Sequence, residues 1–138
     1  MKIGFNCSSF DLLHAGHVTM LKMEKELCNY LIVGLQVDPT IDRPGNKNKP
    51  VQSVYERYVQ LQACRYVDEI LVYETEFDLL QMIQTQTLHI RFLSEEYLNR
   101  DFTGKQWCEN QRNFVTYPAG RLFVDLRRRS RRPGEHVA

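Results

Sequence analysis

The run Ser8-Ser9-Phe10-Asp11-Leu12-Leu13-His14-Ala15-Gly16-His17 holds the densest set of chemically capable side chains in the sequence. His14 and His17 stand three apart, so both lie on one face if a helix begins there. Gly16, between them, carries no side chain and lets a bulky anion approach the backbone. Amides at a helix N-terminus already favour negative charge, and two imidazoles add donors aimed at a polyphosphate. The same spacing suits two solvated or core histidines equally well. A zinc site needs a third and a fourth ligand, which no familiar spacing supplies here. Neither GxxxxGK followed by Ser or Thr, nor GxGxxG, occurs in the chain.

These residues need a strand before them and a helix behind them. Lys2–Cys7 reads as a strand. Gly16–Cys28 places Val18, Leu21 and Leu27 at roughly helical spacing. Tyr30–Val37 is an almost unbroken apolar run, as expected of a strand buried on both faces. Asp38-Pro39 ends it, and residues 39–50 are rich in Pro, Gly and Asn, which is loop chemistry. Ser53 with Glu56 forms a capping box for a helix to about Cys64. A third strand is expected at Val67–Val72, a helix from Phe77 to about Gln84, and a fourth strand at Leu88–Leu93. Phe102–Asn110 suits a short helix or a loop, and Asn113–Tyr117 a fifth strand. Alternating strands and helices imply an α/β fold, here one Rossmann-like domain with a five-stranded parallel sheet flanked by helices. Ligands of such sheets sit beyond the carboxyl ends of the strands. Loops 8–17, 38–50, 73–76, 94–105 and 118–121 should therefore share one cleft.

The 138 residues are 43% hydrophobic and 25% charged, which excludes collagen-like, coiled-coil and wholly disordered chains. The formal net charge is +1, but it is unevenly spread. Residues 1–120 carry 12 Lys and Arg against 15 Asp and Glu, whereas residues 121–138 carry six Arg against Asp125 and Glu135. Residues 1–120 are the expected functional domain, and 121–138 a basic segment disordered beyond Arg129. Cys7, Cys28, Cys64 and Cys108 form no CxxC pair and suit separate reduced thiols. No apolar run approaches the roughly 18 residues that span a bilayer. No signal peptide is recognised at the N-terminus, so the expected compartment is the cytoplasm.

Phe10-Asp11-Leu12-Leu13-His14-Ala15-Gly16-His17 resembles the HxGH signature of the nucleotidyltransferase superfamily. Four further stretches, in order, are similar to the glycerol-3-phosphate cytidylyltransferases. They are Tyr30–Gly34 followed by Asp38, Lys49-Pro50-Val51 through Tyr55-Glu56-Arg57, Arg65-Tyr66-Val67-Asp68-Glu69, and Glu95-Glu96-Tyr97 with Asp101–Lys105. The likeness covers about residues 2–117.

It implies transfer of CMP from CTP to a small polyol phosphate such as glycerol 3-phosphate, with release of pyrophosphate. By the same resemblance, His14 and His17 would bond the nucleotide phosphates and stabilise the transition state. Ser9, Phe10, Gly16, Arg65 and Arg121 would bind the nucleotide. Lys49 would join the catalytic pair and Lys47 the acceptor side, both neutralising phosphates. Asp11 would organise the substrate loop. Mg²⁺ would bridge triphosphate oxygens, with no dedicated metal site on the protein. A homodimer with contacts near Arg65–Glu69 is implied, with no membrane or nucleic-acid partner. Read by residue type alone, the two lysines suit a solvated loop, Arg65 an ion pair with Asp68 or Glu69, and Glu95-Glu96 a solvated pair.

Three departures qualify the likeness. The family has Gly-Thr where this chain has Ser8-Ser9, and Gly where it has Ser94. A Ser/Thr-rich turn that grips the triphosphate follows the family's C-terminal Arg, and none lies between Arg121 and Arg127. An adenylyltransferase of a cofactor precursor, or a weakened, non-catalytic nucleotide-binding remnant, are the alternatives.

Overall fold

The computed structural model describes residues 1–93, 97, 100–111 and 114–116. Elements follow in the order β1 (Ile3–Ser8), α1 (Ala15–Glu26), β2 (Tyr30–Gln36), α2 (Val54–Gln62), β3 (Glu69–Tyr73), α3 (Glu76–Thr85), β4 (Ile90–Phe92), α4 (Lys105–Asn110) and β5 (Phe114–Thr116). The described strands form one sheet in the order β3-β2-β1-β4-β5, and every pairing is parallel. The Rossmann-like α/β reading therefore holds. Strand order reverses between β1 and β4, the place where such sheets open a crevice at their carboxyl ends.

Alternation along the strands divides the core. Leu31, Val33 and Leu35 of β2 face one side with Leu21 of α1 and Leu61 of α2. Ile32 faces the other with Phe5, Leu79 and Ile83 of α3, and Cys108 of α4. β2 is buried on both faces after its first residue, as its apolar run requires. The third strand starts at Glu69 rather than Val67, because the Val67 amide still bonds back to the Cys64 carbonyl at 3.2 Å. Residues 102–110 prove to be a loop and then a helix. Gly104 opens α4 at φ 86°, a left-handed conformation suited to glycine, and a Cβ there would lie 3.0 Å from Ile83 Cδ1.

Each of the first three helices starts with a reciprocal cap. In α2 the Glu56 amide donates to Ser53 Oγ at 3.1 Å, and the Ser53 amide to Glu56 Oε1 at 2.9 Å. In α3 the Asp78 amide donates to Thr75 Oγ1 at 3.1 Å, and the Thr75 amide to Asp78 Oδ2 at 3.2 Å. The cap of α1 uses imidazoles in place of hydroxyl and carboxylate, as described below.

One buried carboxyl group has no counter-ion among the described residues. Glu24 of α1 is 1% exposed, and both its carboxyl oxygens lie 3.0 Å from Asn6 Nδ2 of β1. Burial pushes its pKa from 4.5 up to about 8, against a smaller opposing effect of the Asn6 bond. The folded state thus keeps a proton that the unfolded chain releases. The stabilisation is complete below pH 4.5 and is lost as pH rises toward 8. Denaturant unfolding of wild type minus Glu24→Gln should show a difference falling by about 1 kcal/mol per pH unit across that window. A flat difference would mean that Glu24 ionises freely.

Candidate active site

At the head of α1 the backbone and two imidazoles satisfy one another. The Gly16 amide donates to His14 Nδ1 at 3.0 Å, and the His14 amide donates to His17 Nδ1 at 3.2 Å. A ring nitrogen that accepts cannot carry a proton, so each neutral imidazole holds its hydrogen on Nε2. The rings stack with centroids 4.0 Å apart and an interplanar angle of 28°. His17 is also met edge-on by Phe10, at 5.8 Å and 60°. Burial lowers the His17 pKa below 6.5; the neighbouring His14 adds to this, and Asp11 opposes it. His17 is therefore neutral at pH 7, and its share of stability is lost as pH falls through its lowered value.

The loop leading to this pair is strained. Phe10 and Leu12 adopt φ 48° and 51°, and neither is a glycine. Such conformations cost roughly 1–2 kcal/mol each and persist only where the surroundings hold them. Four restraints do so. Phe10 is 1% exposed in the core. Asp11 accepts the Val51 and Gln52 amides at 2.8 and 3.0 Å, bonds that hold its carboxyl below the usual pKa. The Leu12 amide donates to Gln52 Oε1 at 2.8 Å. Arg57 donates to the carbonyls of Ser9 at 3.0 Å, Gln36 and Val37 at 2.6 Å, and Gln52 at 3.2 Å. Arg57 is 2% exposed and so ties the ends of β1 and β2 to the start of α2. Ser8, where the sequence gives up a glycine, stays in extended β1; the left-handed residues lie further on.

Beside this turn, at the carboxyl ends of the strands, lies an open cavity of about 630 Å³. The segments after β1, β2 and β4 line it, through Ser8 and Ser9, Pro39, Arg43 and Asn46-Lys47-Asn48, and Phe102-Thr103, joined by Tyr73 at the end of β3 and Glu76 at the start of α3. These are the loops expected to share a cleft; loop 118–121 lies outside the described residues. The 39–48 loop is fastened to α3, because Asp42 Oδ2 accepts the Glu76 amide at 2.5 Å and Arg43 lies 3.9 Å from the Glu76 carboxylate.

The candidate residues fall into groups. His14, Gly16, His17, Ser9, Phe10 and Asp11 all belong to one turn. Ser9 and the exposed Lys47 line the cavity. Lys49, also exposed, is near enough to help lower the Asp38 pKa, behind the two bonds from Thr40. Arg65 stands ahead of β3, at the amino end of the sheet. Its guanidinium lies 5.1 Å from the Tyr66 ring centroid and donates to the Tyr66 hydroxyl at 3.0 Å. It does not line the cavity. Arg121 and Glu95-Glu96 lie outside the described residues. Among those described, no three His, Cys, Asp or Glu residues are grouped to hold a metal ion, and no helix is long and apolar enough to cross a membrane.

Two arginines receive no role from the sequence, although Arg57 stands in one of the motif stretches. Arg57 falls on the buried face of α2 with Leu61, four residues on. Arg91 interrupts an otherwise apolar strand and is 2% exposed at the cavity wall. A charge at an apolar-period position is the signal in both cases.

The cap and the Nε2 donors can be separated by mutation. His14→Ala should cost about 1 kcal/mol of stability, and His14→Asn, whose amide oxygen can accept the Gly16 bond, should recover most of it. Denaturant midpoints of the two variants check this; equal losses would show that the imidazole cap does not support the helix.

Comparison with known proteins bears on the same residues. Residues 5–115 match the family model described as Cytidylyltransferase-like. Ethanolamine-phosphate cytidylyltransferase of Arabidopsis thaliana is 41% identical over 64 residues, covering 46% of this chain and 15% of that protein. Bifunctional protein HldE of Helicobacter pylori (strain G27) is 33% identical over 111 residues, covering 80% of this chain and 24% of that protein. The chain therefore spans less than a quarter of the length of these curated relatives. In fold it is similar to the lipopolysaccharide core biosynthesis protein of Thermoplasma volcanium GSS1, with a TM-score of 0.66 at 22% identity over 85% of this chain and 93% of that one. With the family model spanning the sheet and the imidazole turn together, this chain belongs to the cytidylyltransferase-like family, within the nucleotidyltransferase superfamily.

Proposed function

We propose that this chain transfers CMP from CTP to a small polyol phosphate, with glycerol 3-phosphate the leading candidate, and releases pyrophosphate. The observation that carries the reading is the imidazole pair, whose two Nδ1 atoms are engaged by backbone amides so that both Nε2–H groups are left as donors. The adjoining cavity at the strand ends supplies room for the acceptor.

An acceptor phosphate oxygen attacks the α-phosphorus of CTP, the bond to the departing pyrophosphate breaks, and CMP is joined to the acceptor. The acceptor is already an anion near neutral pH, so no general base is needed. The barrier lies in bringing two anions together and in the charge that builds on the phosphoryl oxygens. Positioning and fixed donors lower it. His14 and His17 donate from Nε2, and because their rings are held before substrate arrives, little reorganisation is required. Lys47 and Lys49 neutralise phosphate charge from the loop. Asp11 and Arg57 act as positioning residues by holding the turn. Mg²⁺ would neutralise triphosphate charge and enter on the nucleotide.

One relative named above is an ethanolamine-phosphate cytidylyltransferase, so that acceptor belongs in the same assay. The closing experiment mixes the protein with CTP or ATP, Mg²⁺ and either glycerol 3-phosphate or ethanolamine phosphate, and follows pyrophosphate. CTP should support turnover at least ten times better than ATP. His17→Ala and the cap-preserving His14→Asn should each lower kcat by about 10²–10³. Turnover that persists in both variants, or that requires ATP, would overturn the reading.

A further inference from the structure

The connection between β2 and α2 runs from residue 37 to residue 53, past the roughly 12–15 residues beyond which a loop without helix or strand is usually functional. Its ends are tied down. The Val37 amide donates to the Tyr73 carbonyl at 2.9 Å, and the Val51 and Gln52 amides donate to Asp11. Between them stands Lys47, the exposed cation at the cavity wall that the proposed function assigns to phosphate. A lysine on a loop of Pro, Gly and Asn can meet a ligand reproducibly only if the loop is held.

Two neighbouring residues hold it. Among the described residues, every hydrogen bond or ion pair joining 39–48 to a distant part of the chain starts from Asp42 or Arg43 and ends at Glu76. Arg43 contributes less. It lies 3.9 Å from the Glu76 carboxylate, the two side chains are 37% and 33% exposed, and pairs so open to water are worth little. Asp42 contributes more, because its Oδ2 accepts the Glu76 amide at 2.5 Å. Glu76 is the first residue of α3, so that amide is one of the donors the helix cannot satisfy itself. The reciprocal cap of Thr75 and Asp78 uses the amides of those two residues and not this one. A carboxylate on an amide at a helix start gains from its own charge and from the helix dipole.

From Asp42 the restraint reaches Lys47 through one residue. The Arg43 carbonyl accepts the Asn46 and Lys47 amides, each at 3.2 Å. Fixing Asp42 against α3 therefore fixes the turn that carries Lys47. Asp42 itself is exposed and does not line the cavity.

We propose that Asp42 is a positioning residue for the acceptor phosphate, pinning the 39–48 loop to the first turn of α3 and so seating Lys47 at the cavity wall. This rests on Lys47 neutralising the acceptor phosphate in the proposed reaction. The test compares Asp42→Ala, Asp42→Asn, Lys47→Ala and the Asp42→Ala, Lys47→Ala double variant in the full chain, with CTP, Mg²⁺ and glycerol 3-phosphate. Asp42→Ala should raise the KM for glycerol 3-phosphate by about fivefold and keep kcat and the KM for CTP within about twofold, because a contact made equally in ground and transition states moves KM alone. Asp42→Asn keeps an oxygen for the Glu76 amide and should stay within about twofold of wild type. On the Lys47→Ala background Asp42→Ala should add less than about twofold, since the residue it seats is gone.

A merely structural Asp42 would change both KM values or neither, and its effect would multiply with that of Lys47→Ala. Either result, an Asp42→Asn as impaired as Asp42→Ala, or a Lys47→Ala with unchanged acceptor KM would overturn the role. Amide hydrogen exchange reads the tether without turnover. In the wild type the Glu76 amide should be as protected as the Asp78 amide, which the cap holds. An unprotected Glu76 amide would overturn the proposal even if a variant failed to fold. Protection without any CTP turnover would instead overturn the proposed function, and the acceptor role with it, while the tether stands.

Discussion

A helix that opens with an imidazole rather than a hydroxyl gains something beyond a cap. Ser and Thr have one oxygen, and once it accepts the helix amide little reach remains. Histidine has two nitrogens on opposite sides of a rigid ring. When Nδ1 accepts from the backbone, the tautomer is fixed and Nε2–H must point away. In this chain the device is doubled, with His14 accepting from Gly16 and His17 accepting from His14. The bonds that start α1 therefore also leave two Nε2–H donors near a helix terminus, the kind of place that favours an anion. Helix capping and the proposed phosphate contacts would thus use the two nitrogens of the same rings, which constrains everything that precedes the pair.

That constraint explains the expense of the surrounding loop. To reach α1 from β1 in the space available, Phe10 and Leu12 take left-handed backbone conformations that neither residue favours. The chain holds them with charge-assisted bonds. Asp11 binds two amides and Arg57 binds four carbonyls. Neither side chain needs to touch substrate to matter. Arg57 also joins the ends of the two central strands, so the turn is referenced to the most buried part of the sheet rather than to a free loop.

Much of this was legible in the sequence. The βα alternation, the Ser53–Glu56 cap and the paired histidines follow from local patterns, because period, caps and helix starts are local physics. The apolar run of β2 was readable for the same reason. Arg57 and Arg91 were not, because the groups they serve come from distant stretches. Arg57 meets Ser9 and Gln36, and Arg91 meets Thr103 and Phe5, contacts that exist only after the sheet forms. The strain at Phe10 and Leu12 was equally hidden, since sequence habit assigns left-handed backbone to glycine and points to Ser8 instead. Arg65 shows the reverse problem. Its place among motif residues suggests the cleft, whereas chain direction puts it at the amino end of the sheet beside Tyr66.

The state of the two imidazoles, before and after nucleotide, is the most direct test of the proposed phosphate cradle. Nitrogen-15 NMR of labelled histidine at pH 7.5, with and without CTP, reports it. Both His14 and His17 should show an unprotonated Nδ1 and a protonated Nε2 in the free protein, and CTP should move both Nε2–H signals and slow their exchange with water. Protons on Nδ1, or Nε2–H signals indifferent to saturating CTP, would contradict it.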